Sequence, residues 1–210
     1  MPKTQPFDEH LDLYEAWFVE NRYVYESELE AVRHFVPQEG EKMEVGVGSG
    51  LFAAPLGIRK GVEPSAVMAA KARERGIEVV EGVAEDLPFE ENAFDLVLMV
   101  TTICFVDDPL QAVREVQRVL RSGGAFVLAF VDKESPVGKV YQAMKEKSLF
   151  YRPATFFSTG ELLDLIRQCG MKVDGIVQTV FGQLPDIREK QPFREGYGEG
   201  SFVVIRAVKT

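Results

Sequence analysis

Apolar and aromatic side chains recur at helical spacing from Leu11 to Phe35, at Leu13, Trp17 and Phe18 and again at Leu29, Val32 and Phe35. The pattern breaks near Asn21 and Arg22, so it predicts two helices. Pro37 and Gly40 end the second, and Lys42 to Val47 reads as a buried strand running into a glycine turn. Beyond it, short apolar runs at Lys60 to Glu63, Ile77 to Glu81, Phe94 to Val100 and Ala125 to Val131 alternate with helical patterns at Ser65 to Arg75 and Pro109 to Arg121. Parallel strands need a long crossover between them, and a helix is the usual one, so this rhythm predicts βαβ units and a parallel sheet. Such sheets have right-handed crossovers and take their ligands beyond the carboxyl ends of the strands, where the strand order reverses.

The last quarter of the chain follows another pattern. A helix near Ser158 to Cys169 precedes strand-like Lys172 to Val180 and, after a long polar connection, Ser201 to Ala207. The last two strands are expected to pair as a hairpin. The connection, Gly182 to Gly200, is rich in Gly, Pro and charge and is expected to be a mobile loop near the site.

Composition narrows the function classes. Hydrophobic residues make up 46% of the 210 and charged residues 27%, which is ordinary for a globular domain. A formal charge of −9 argues against nucleic acid as a partner, because nonspecific binding to phosphates rests on clustered Lys and Arg. Cys104 and Cys169 lie far apart without a CxxC, so neither a disulfide framework nor a thiolate metal site is suggested. No basic-then-apolar leader and no apolar stretch of membrane-spanning length is visible, and a reduced cytoplasm is the expected setting.

The strongest chemical signal is Glu44-Val45-Gly46-Val47-Gly48-Ser49-Gly50, where absent side chains let backbone N–H groups approach a ligand. The spacing is GxGxG. A dinucleotide fingerprint would want a glycine at position 51, which is Leu51, so an NAD(P)-dependent oxidoreductase is disfavoured. Glu63 ends the second strand, where a carboxylate can accept hydrogen bonds from both hydroxyls of a ribose.

These residues resemble the class I S-adenosylmethionine-dependent methyltransferases of the small-molecule type, the group that includes ubiquinone and menaquinone biosynthesis enzymes. Glu44 to Gly50 is similar to the family's first motif and Gly61-Val62-Glu63-Pro64-Ser65 to its second. Gly82-Val83-Ala84-Glu85-Asp86-Leu87-Pro88-Phe89 is similar to the third, Phe94-Asp95-Leu96-Val97 opens the fourth strand, and Arg118-Val119-Leu120-Arg121-Ser122-Gly123-Gly124 matches the turn into the fifth. The resemblance implies an α/β, Rossmann-like fold with a seven-stranded, mostly parallel sheet, an antiparallel last strand and helices on both faces. It implies one methyltransferase domain over 1–210: a helical cap at 1–39, a cofactor-binding core at 40–132, and acceptor-side helices with the terminal hairpin at 133–210. It implies S-adenosyl-L-methionine as cofactor and methyl transfer to a small-molecule acceptor. The alternative is a noncatalytic protein that keeps the cofactor site.

By the same resemblance the cofactor is held by Glu44, Gly46, Val47, Gly48 and Gly50, by Glu63 and Pro64 at the ribose, and by Thr101 beside the methionine moiety. Val83 stands where relatives commonly carry an adenine-binding Asp, which leaves that contact to the backbone of Ala84 and to Glu85. Val100 to Phe105 replaces a histidine-bearing stretch, and Cys104 there reads as a packed side chain. Methyl transfer from a sulfonium neutralises charge, so alignment and exclusion of water can supply most of the catalysis and a base is optional. For a base the chain offers only His10 and His34, and His34 reads as structural; the catalytic residues are left open, with His10 and Tyr14 as candidates. Tyr14-Glu15-Ala16-Trp17-Phe18 resembles the family's aromatic start: Tyr14 and Arg22 are candidates for the cofactor's amino-acid end, Arg22 through its carboxylate. Trp17 and Phe18 either close the pocket or pack the helix onto the sheet. Tyr141, Phe150, Tyr151, Phe156 and Phe157 fall where the family builds acceptor pockets, which suggests an apolar or aromatic acceptor. The acceptor, the atom methylated and the oligomeric state are left open.

Overall fold

The structure, a computed structural model, describes residues 3–210. Three helices precede the first strand: α1 (Gln5–Glu9), α2 (Leu11–Glu20) and α3 (Arg22–Arg33). The apolar pattern predicts only two, because α1 has five residues and is too short to show a period. There follow β1 (Lys42–Val45), β2 (Lys60–Val62), α4 (Ala66–Glu74), β3 (Glu78–Val80), β4 (Phe94–Val100), α5 (Pro109–Val119), β5 (Leu120–Val131), α6 (Pro136–Met144), α7 (Thr159–Gln168), β6 (Met171–Thr179), β7 (Arg194–Glu195) and β8 (Phe202–Lys209). Helix starts carry the expected chemistry: Ser65, Asp108, Ser135 and Ser158 each accept a backbone N–H in the first turn, and Ser158 with Glu161 forms a capping box.

One sheet runs through the molecule in the order β3-β2-β1-β4-β5-β8-β6-β7. The pairs from β3 to β5 are parallel, and β8 enters antiparallel between β5 and β6. The sheet thus has the predicted parallel core and terminal pairing, with an eighth strand added: two residues of β7, antiparallel on the edge of β6. Leu96, Leu98, Val127, Ala129, Phe202 and Val204 pack with α3 and α4 on one face, while Val97, Met99, Phe126, Leu128, Val203 and Ile205 pack with α5 and α7 on the other. Burial on both faces is why β4 reads as an apolar run from Leu96 to Val100.

Two segments depart from the sequence pattern. β5 begins at Leu120 rather than Ala125, because Leu120 pairs with Phe94 before the register shifts and Ala125 pairs with Leu96. The connection from Gly182 to Gly200 lies away from the cavity described below and is held in place: Gln191 exchanges hydrogen bonds with the backbone of Phe181 at 2.7 and 3.1 Å, and its own N–H donates to Ser27 Oγ at 2.8 Å. No helix among the described residues is long and apolar enough to cross a membrane.

Candidate active site

The strand order reverses between β1 and β4, and the chain leaves both strands through turns with left-handed backbone. Gly46, Gly48 and Gly50 all have positive φ, and so does Thr101 at +48°. Gly46 is required twice, since a Cβ there would lie 2.3 Å from Thr102 Cγ2. Thr102 Oγ1 donates to the carbonyls of Val100 and Gly46 at 3.0 and 3.3 Å, which ties the two turns together. Above them opens a cavity of about 530 Å³, within the range of small-molecule sites, roughly 300–1,000 Å³.

At one end of the cavity Glu63 is the organising group. Its Oε2 accepts the Gly48 N–H at 2.8 Å and its Oε1 the Ser65 N–H at 2.9 Å, so the carboxylate is aimed before any ligand arrives. Burial pushes its pKa up, the two amides oppose that, and Asp8 adds to it. Pro64, Val83, Ala84 and Glu85 border the same end. Glu85 Oε1 accepts the N–H groups of Asp107 and Asp108 at 2.6 and 3.2 Å, so part of its hydrogen-bonding capacity is already used. Behind this wall Arg118 donates to the carbonyls of Leu87 and Phe89 and pairs with Glu115, which itself accepts the Leu87 N–H. The motif residue Arg118 therefore braces the loop.

Tyr14 stands at the middle of the cavity. Its hydroxyl would lie 3.5 Å from a Cβ placed on Gly48. Burial first, then the charges of Glu44, Glu63, Glu15 and Glu28, push its phenol far above the ordinary value. A phenol held that firmly protonated donates hydrogen bonds and takes up no proton. Glu44 lies under the glycine turn; burial raises its carboxyl well above the usual range, and its Oε2 has no hydrogen-bond partner among the described residues. An orphaned buried carboxylate oxygen, a backbone-held Glu63 and an array of acids around Tyr14 suit a ligand with both ribose hydroxyls and positive charge. S-adenosylmethionine, with its sulfonium and ammonium, has that chemistry.

Several expected residues sit elsewhere. Arg22 is largely exposed, pairs with Glu26 at 2.6 Å and does not border the cavity, because its place at the start of α3 turns it to solvent. His10 lies at the junction of α1 and α2, 3.8 Å from Glu9, outside the cavity lining. Val47 and Gly50 shape the turn from behind: Val47 fills the space a Cβ of Gly61 would need, and Gly50 faces Ile77 and Ala72. His34 packs between Phe35 and Phe193. The Cys104 thiol, pushed up to about 12 by burial, donates to the Thr101 carbonyl.

The far end of the cavity is aromatic. Trp17 and Phe18 both border it and pack on the core, so their two candidate roles coincide. Tyr141, Phe150 and Tyr151 line it, whereas Phe156 and Phe157 face a small adjoining void of about 20 Å³. Phe7 of α1 contacts Tyr14, Phe105 and Phe150 edge or tilted, with ring centroids 5.2–5.8 Å apart, and Ser65 Oγ donates to Asp8, so α1 covers part of the opening. Glu28, absent from the sequence reading, also reaches the cavity here. Its signal was available: Glu28 falls on the buried stripe of α3 between Val24 and Val32.

The chain is similar to known proteins. The profile of the family described as Methyltransferase domain matches residues 43–128. A crystal structure of an S-adenosylmethionine-dependent methyltransferase from Thermotoga maritima, a possible histamine N-methyltransferase, superposes with a TM-score of 0.95 at 50% identity, covering 98% of this chain and 99% of that one. An uncharacterized protein of Methanocaldococcus jannaschii is 40% identical over 203 residues, 97% of this chain and 98% of its own length. An uncharacterized protein of Mycobacterium tuberculosis is 34% identical over 177 residues; the match takes in 82% of this chain and 62% of that longer protein.

Proposed function

Because the chain belongs to the S-adenosylmethionine-dependent class I methyltransferases, we propose that it methylates a small-molecule acceptor held in the aromatic end of the cavity. The observation that carries this reading is the continuity of the cavity: it runs from Glu63 past Tyr14 to Tyr141 and Tyr151, with α1 folded across it. That volume suits a small molecule rather than a polymer. The name given to the Thermotoga protein supports the same class of acceptor.

In this reading Glu63 and Pro64 hold the ribose, Val83, Ala84 and Glu85 flank the adenine, and Glu44, Gly46, Gly48 and Thr101 surround the methionine end. The three segments 1–39, 40–132 and 133–210 act as one unit: cap, cofactor core and acceptor side. S-adenosylmethionine, when bound, supplies a methyl group made electrophilic by the positive sulfur. The chain's part is electrostatic and geometric. The acids around Tyr14 complement a cation, the Tyr14 hydroxyl orients what lies beside the glycine turn, and the rings of Phe7, Phe18, Phe105 and Phe150 keep water out.

The test is to incubate the protein with S-adenosylmethionine labelled in its methyl group and a cell extract separated by size into small metabolites and macromolecules. Label entering the small-molecule fraction is expected. Label entering only the macromolecular fraction would overturn the proposal.

A further inference from the structure

Glu28 is a buried acid in the cavity lining that the cofactor reading above gives no role. It is 7% exposed, it projects from α3 into the aromatic end of the cavity, and no side chain or backbone amide among the described residues hydrogen-bonds to it. Its carboxyl faces the cavity, and an acid there with no such partner is open to a ligand. The residues around it are phenols: Tyr14 from α2, Tyr25 from α3 itself, Tyr141 from α6 and Tyr151 from the segment after it all feel its charge, and no cationic side chain acts on it. Tyr141 and Tyr151 stack with centroids 4.6 Å apart, and Phe18 and Phe52 border the same chamber. A lone acid walled by π faces is the complement of an organic cation.

Resting on the methyltransferase reading above, we propose that Glu28 is the acceptor-binding residue and that it selects an acceptor whose reactive atom is a protonatable nitrogen on a compact apolar or aromatic body. Burial lifts the Glu28 carboxyl to about 8, within roughly two to three units of an alkyl amine, so a proton passes between the two at little cost. In the transfer, the Glu28 carboxylate takes one proton from the bound ammonium and frees the nitrogen lone pair. That pair forms the N–C bond as the C–S bond breaks and leaves its electrons on sulfur. The positive charge moves from sulfur to nitrogen, and Glu28 then returns its proton to solvent.

The test uses the full chain saturated with S-adenosylhomocysteine and two probes of matched shape, benzylamine and benzyl alcohol, titrated calorimetrically. Benzylamine is expected to bind about tenfold tighter or more, as a hydrogen-bonded charge pair would give. At pH 7 its binding should release a proton, seen as heat that depends on the buffer's ionisation enthalpy. Glu28→Gln should bind S-adenosylhomocysteine as the wild type does while losing both the preference and the proton release. Equal or tighter binding of the alcohol, binding of neither probe, absence of proton release, or a preference that survives in Glu28→Gln overturns the proposal. Should Glu28→Gln not fold, the two wild-type measurements decide alone. Failure of the wild type to bind S-adenosylhomocysteine would sink the underlying cofactor reading; normal binding without amine preference sinks only this inference.

Discussion

Replacing Glu63 with Ala separates the two things this side chain does. In the folded protein its oxygens accept the Gly48 and Ser65 N–H groups at 2.8 and 2.9 Å. Removing them leaves two amides without acceptors at about 1–3 kcal/mol each. Part of that is returned, because the carboxylate is itself strained by burial and by Asp8; a net destabilisation of about 1–3 kcal/mol follows. The cofactor loses more. Two ribose hydroxyls on a carboxylate are charge-assisted contacts of about 1.5–3 kcal/mol each, so affinity should fall by about 10²- to 10⁴-fold. Calorimetric titration with S-adenosylhomocysteine measures the loss, and thermal unfolding of the unliganded protein measures the stability. Glu63→Gln keeps one acceptor oxygen but turns an NH₂ toward a backbone N–H, and should fall between. If Glu63→Ala binds within about threefold of wild type, the carboxylate is not the ribose ligand and the reasoning fails.

Other consequences can be checked separately. Gly46→Ala places a Cβ against Thr102 at positive φ and should cost about 2–4 kcal/mol in urea unfolding; the double change with Thr102→Ala should recover part of it, and an unchanged midpoint would refute the packing argument. Arg118→Ala strips Glu115 of its counterion and the 87–89 backbone of its brace; after allowing for solvent screening of a partly exposed pair, about 1–3 kcal/mol should be lost, with weaker S-adenosylhomocysteine binding, and unaltered binding would count against a bracing role. Glu28, Glu44 and Glu63 all have raised folded-state pKa values. The folded protein therefore holds more protons than the unfolded chain above the ordinary carboxyl value of 4.5, and their contribution is complete below that pH and lost as pH rises toward about 8. The melting temperature of the ligand-free protein should fall between pH 5.5 and 8, less steeply in Glu28→Gln; a rise over that window would contradict the burial of these acids.

The parallel half of the fold was legible because its strands are buried on both faces and its turns must be glycine: Gly46 cannot carry a side chain beside Thr102, whatever the protein does. Glu63 was legible for the same reason, since it closes a strand whose neighbours fix its direction. Legibility fell where a residue's role depends on which way a helix is rolled. Arg22 sits two residues before Val24, on the opposite side of α3 from its buried stripe, and faces solvent, while Glu28, in that stripe, faces the cavity. A charged residue among Val24, Ala31 and Val32 was the available clue. The 182–200 connection looked loose because its composition is polar, yet Gln191 and the Lys190–Glu30 pair fasten it to α3 and β6's end, contacts too distant in sequence to read. β7 is two residues long, below what any period can reveal.

The most direct test of the whole account is a crystal structure of the protein with S-adenosylhomocysteine. The account predicts the ribose hydroxyls on the Glu63 carboxylate, the adenine between Val83 and Phe105, and the sulfur beside Tyr14 facing the chamber of Glu28, Tyr141 and Tyr151. A ligand seated with its sulfur turned away from that chamber, or with Glu63 untouched, would contradict it.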